Sequence, residues 1–119
     1  MNITIPAPTT TPRQAVRERI AVLHGTIDRV AMLRRCVMAR AVPDATVSHQ
    51  ILWDLTAMFL KADVLEEVFV SLYTIRDMAQ AGRFRSAERA TGRLLDLLAE
   101  VVADTTPEHL GRWWRGSWG

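Results

Sequence analysis

The side chains that offer chemistry are three histidines, one cysteine and fourteen arginines. His24, His49 and His109 have no partner four residues away and no neighbouring cysteine or carboxylate cluster. A metal site needs several ligands converging at helical or loop spacing, so no metal is expected. Cys36 has Arg34, Arg35 and Arg40 nearby, which favours a thiolate. A small, apolar-natured cysteine on a helical seam is nonetheless expected to be structural. A lone cysteine excludes an internal disulfide and fits a reducing compartment. No catalytic constellation and no cofactor motif emerges, so an enzyme is not expected.

The arginines raise the question of nucleic acid, since the pI is about 9.3 and Lys61 is the only lysine. A binding helix should gather its cations on one face. Arg13, Arg17 and Arg35 share a face of the first helical segment, while Arg19, Arg29, Arg34 and Arg40 scatter around it. The end of the chain reads RWWRGSWG, and Trp113 and Trp114 between Arg112 and Arg115 suit base stacking. Nucleic-acid binding by this first helix and tail is therefore the alternative reading. Residues 1–42 carry an excess of arginine and residues 43–82 an excess of acid. Cross-helix ion pairs are expected from that segregation, with Arg34 reaching Asp54 or Glu66.

These residues must be carried by helices. Residues 1–10 are rich in Pro and Thr, lack periodicity, and read as a flexible arm without the features of a signal peptide. Thr11, Pro12 and Gln14 form a capping box that opens a helix over about 12–41. Ser48 is the expected cap of a second helix running to Ala81, where Gly82 supplies a left-handed stop. A third helix is expected over about 84–103, followed by a short helical turn at Thr106-Pro107-Glu108. The fold expected is all-α, with three long antiparallel helices in a domain over 11–104 and a Trp/Arg-rich tail over 105–119. No apolar run reaches the roughly 18 residues of a membrane span, so a cytoplasmic protein that does not touch membrane is expected.

The second helix organises the rest. One apolar stripe is Ile51, Leu55, Met58, Ala62, Leu65, Phe69 and Leu72, spaced alternately by four and three. A second is Trp53, Ala57, Leu60, Val64, Val68, Ser71, Ile75 and Met78, on the opposite side. A helix apolar on two sides must be covered on two sides. Asp63-Val64-Leu65-Glu66 is itself a capping box and offers a break at Ala62-Asp63 that would give four main helices, but both stripes run through it in phase, which favours one continuous helix. The residues expected to bind a partner are Trp53, Leu60, Val64, Val68 and Ile75, with Trp113 and Trp114 of the tail. The partner is either a second copy, closing a homodimer, or another protein.

Two family resemblances bear on function. The stretch VRERIAVLHGTIDRVAMLRR resembles the first helix of the all-helical chorismate mutases, and that likeness implies active-site roles for Arg17 and Arg34. The lysine and the acidic group that the family needs shortly afterwards are missing here: the next lysine is Lys61, and the following segment reads SHQILWDLTAMF. Over residues 12–104, chiefly ILWDLTAMFLKADVLEEVFV, the chain resembles the small helical antiactivators of bacterial quorum sensing. That resemblance implies a dimer that binds the ligand-binding domain of a LuxR-type regulator and blocks its dimerisation and DNA binding. The function expected is thus a regulatory module that sequesters a protein.

Overall fold

The structure is a computed structural model that describes residues 11–58 and 60–105. The expected arm over 1–10, the C-terminal turn at 106–108 and the RWWR tail lie outside the described residues. What is described is all-α, with four helices: α1 Pro12–Met38, α2 Ala45–Thr56, α3 Ala62–Gln80 and α4 Phe84–Asp104. None of them is long and apolar enough to cross a membrane.

α1 opens as its capping box predicts. The Gln14 backbone N–H donates to Thr11 Oγ1 at 3.2 Å, and Pro12 takes the first turn. It stops at Met38, three residues before the expected end. Arg40 adopts a left-handed φ of 58°, and the Ala41 N–H donates to the Cys36 carbonyl at 3.0 Å. That is a Schellman closure with arginine where glycine is preferred. α3 ends the same way with the preferred residue. Gly82 has φ 76°, and the Arg83 N–H donates to the Met78 carbonyl at 2.8 Å. The short turn makes α3 and α4 an antiparallel hairpin.

α4 lies against both α1 and α3, its most extensive partners. Glu88 near its start pairs with Arg34 near the end of α1, at 3.8 Å. Since both helices bury residues along their whole lengths, from Val16 to Val37 and from Ala87 to Val101, they run antiparallel. Ala87, Ala90 and Thr91 keep the α4 side of this contact small. The fully buried Thr26 and Thr91 hydroxyls donate within their own helices, to the Val22 and Glu88 carbonyls, so neither is left unpaired.

The continuous helix expected over 48–81 is two helices. α2 also begins earlier than expected: Asp44, not Ser48, is the N-cap, and its carboxylate accepts the Thr46 N–H at 3.0 Å. α2 ends at Thr56, and α3 starts after Lys61, whose backbone is extended. The guanidinium of Arg19 on α1 donates to the Met58 carbonyl at 2.7 Å, satisfying an acceptor freed by the break. Asp63 does not cap α3. It sits in the first turn, where a carboxylate favours the helix dipole, and accepts the Val64 N–H at 3.0 Å.

The break changes which stripe faces the core. α2 buries Ile51 and Leu55, and Met58 follows them, all from the first stripe. α3 buries Val68 and Ile75 from the second stripe, with Leu72 from the first and Ala79. A bifacial helix has been divided so that each half turns its own face inward against α1 and α4. Part of each unused stripe is then left outside.

Candidate functional site

Two grooves flank α2, and the unused stripe residues border them. The first lies between α2 and α3 and encloses about 310 Å³. Leu52 and Leu72 line its apolar side, Phe69 and Tyr73 rise from α3 at intervals of four, and His49 and Arg76 add polar groups. Phe69 is 56% exposed and Tyr73 69%. The Arg76 Nε is buried without a hydrogen-bond partner. Beside it, the Asp44 carboxyl is held below the usual carboxylate range, first by the N–H and hydroxyl that Thr46 donates and then by the Arg76 charge.

The second groove lies between α1 and α2, at about 370 Å³. Trp53 stands on its border, 77% exposed, with Val22, Ala57 and Met58 around it. Asp54 and Arg19 are largely engaged, although the Arg19 Nε is buried without a hydrogen-bond partner. Asp54 pairs with Arg29 through one oxygen and accepts from Gln50 through the other. Arg19 is committed to the Met58 carbonyl.

The sequence-predicted partner residues therefore part company. Trp53 is on the surface. Leu60 and Val64 are half-buried and packed against the core. Val68 and Ile75 are core residues, 0% and 1% exposed, because the break rotates their stripe inward; they offer nothing to a partner in this arrangement. Trp113 and Trp114 lie outside the described residues. Phe69, Val70 and Tyr73 were missed as surface residues. Phe69 stood in the first apolar stripe, and Val70 and Tyr73 stood in neither, so the signal available was the aromatic pair at i, i+4 between the acids Glu66 and Asp77.

The residues read for chemistry do not assemble. His24 and His49 are exposed and belong to different helices. Cys36 is half-buried, with its thiol 3.6 Å from the Ala41 carbonyl. No group of three His, Cys, Asp or Glu side chains among the described residues is placed to hold a metal. Arg17 is exposed, and Arg34 pairs with Glu88 of α4 rather than with Asp54 or Glu66. Neither arginine lines a groove. The ion pair that α1 does make with α2 uses Arg29 and Asp54. What these surfaces can do is present aromatic and apolar area beside a few charges, which is the chemistry of recognition. No family model, curated protein or solved structure matches this chain.

Proposed function

We propose that this chain is a small regulatory module that sequesters a protein partner through the exposed aromatic residues of α2 and α3. One observation carries the reading. Trp53, Phe69 and Tyr73 are each more than half exposed on helices whose opposite faces are buried, and no described residue covers them. Exposed large aromatics cost little to order and often dominate binding, at about 2 kcal/mol or more each in a central position. The more specific form follows the resemblance of residues 12–104 to the quorum-sensing antiactivators: a homodimer that holds the ligand-binding domain of a LuxR-type regulator in the cytoplasm. The test is a nuclease-treated pull-down with three baits: the native chain, Trp53→Ala, and Phe69→Ala/Tyr73→Ala. A stoichiometric protein held by the native chain and released by either variant supports sequestration. Equal recovery on all three baits refutes this surface.

Charge favours nucleic acid as the second reading, but through a different face from RWWR and α1 alone. Antiparallel packing gathers exposed Arg34, Arg35 and Arg40 from the end of α1 with Arg83, Arg85 and Arg89 from the start of α4. Phosphate contacts there would weaken steeply with salt. Arg85→Ala/Arg89→Ala should abolish duplex binding in a mobility shift, and no shift with the native chain at low salt removes the reading.

A further inference from the structure

The outer face of α3 carries a pattern of its own. Ala62, Glu66, Phe69, Val70, Tyr73 and Asp77 are all exposed, and their spacing places them on one side of the helix. Phe69, Val70 and Tyr73 are contiguous in the middle, and a carboxylate, Glu66 or Asp77, stands one turn beyond them at each end. The cation of α3, Arg76, is half-buried in the groove that Phe69, Tyr73 and Asp77 also line, whereas Glu66 and Asp77 are exposed.

We propose that this face receives a basic amphipathic helix of a partner protein. The partner's apolar seam would cover Phe69, Val70 and Tyr73, and its flanking Lys or Arg would meet Glu66 and Asp77. Charge complementarity selects that occupant over a second copy of the chain. A two-fold pairing of α3 on itself, centred on the aromatic patch, sets Glu66 of one copy opposite Asp77 of the other, twice. Like charges so placed oppose association, and a two-fold axis allows no offset that spares one pair without sparing the other. An acidic helix is rejected for the same reason. A helix with an i, i+3, i+4, i+7 seam and cations beside it satisfies both the patch and the charges.

This inference rests on the sequestration reading and deepens it by naming the partner's chemistry. The experiment uses the full chain and two synthetic helical peptides that share one leucine seam, the first flanked by lysines and the second by glutamates. Anisotropy should show the lysine peptide bound, and weakened about tenfold by Glu66→Lys/Asp77→Lys, since two opposed pairs then become repulsive. The same variant should gain the glutamate peptide. Asp96→Lys/Glu100→Lys, acids on the outer face of α4 without aromatics, should leave both peptides unchanged. Circular dichroism confirms that each variant folds. Equal lysine-peptide binding by native chain and Glu66→Lys/Asp77→Lys, or equal loss in the α4 variant, overturns the proposal. So does a native dimer in sedimentation that Phe69→Asp dissolves. A lysate partner that needs Phe69 and Tyr73 but ignores charge reversal at Glu66 and Asp77 would leave sequestration standing and remove this inference alone.

Discussion

α1 with α4, and α2 with α3, are two helix pairs of different composition put to different uses, the first richer in charged residues and the second more apolar. α4 has one apolar face, and all of it is spent. Ala87, Ala90, Thr91, Leu94, Leu98 and Val101 are buried between α1 and α3, and its outer face is charged. α2 and α3 hold more apolar surface than the core can accept, and Trp53, Phe69, Val70 and Tyr73 remain outside. Within the first pair α4 behaves as scaffold, while α1 leaves Val22, Met32 and Met38 exposed but no aromatic. The second pair pays for its surplus in exposed apolar area, which a soluble surface ordinarily avoids unless something is to be bound. The difference teaches where to look for function in a chain without catalytic residues: at the apolar residues that packing leaves over, more than at those it uses.

Substitutions can break or sharpen that contrast. The largest effect should come from the scaffold. Leu94 is 0% exposed, and Leu94→Ala should cost about 3 kcal/mol of stability, read as a lower denaturant midpoint. Phe69→Ala/Tyr73→Ala should do the reverse. Stability should change by about 0.5 kcal/mol or less, while partner affinity falls by about 2 kcal/mol, roughly thirtyfold. Comparable destabilisation by both variants would erase the distinction between scaffold and recognition surface.

The next effects test the two Schellman closures, one in each pair. An added Cβ at Gly82 would meet nothing within 4 Å, so Gly82→Ala isolates the backbone cost of φ 76° and should lose about 1 kcal/mol. Arg40 already bears that cost at φ 58°, so Arg40→Gly should gain about 0.5–1 kcal/mol in thermal unfolding. The smallest effect is at the Asp44 cap. Its carboxyl titrates below its ordinary value in the folded chain. Its contribution is therefore complete above the ordinary carboxylate range and is lost as pH falls through the depressed value. Asp44→Asn should keep the cap and remove that part of the acid sensitivity, seen as a flatter pH dependence of Tm.

Much of the scaffold was legible residue by residue. Thr11, Pro12 and Gln14 announced the start of α1, and Gly82 announced the end of α3, because caps are local chemistry between residues a few positions apart. In α4, Ala87, Thr91, Leu94, Leu98 and Val101 recur at alternating spacings of four and three, so only one face could be core. The start of α2 was misplaced from Asp44 to Ser48, since both are good caps and nothing local ranks them. Arg40 was hidden because arginine rarely takes a left-handed φ.

The site was legible only in part. Trp53 is exposed, whereas Val68 and Ile75, expected beside it on a binding surface, are buried, and Phe69, in a stripe expected to be covered, is exposed. By itself, the sequence determined that the chain is helical, where α3 and α4 stop, and that the segment from Ser48 to Ala81 has apolar residues on two sides. Those properties follow from local propensity and periodicity. Only the tertiary structure decided that this segment breaks, which half of each stripe is buried, and that Arg34 finds Glu88. The physical reason is that two in-phase stripes are equally apolar to any local measure. The choice between them is made by the space that α1 and α4 leave to be filled, and by an arginine of α1 that reaches the carbonyl end of α2.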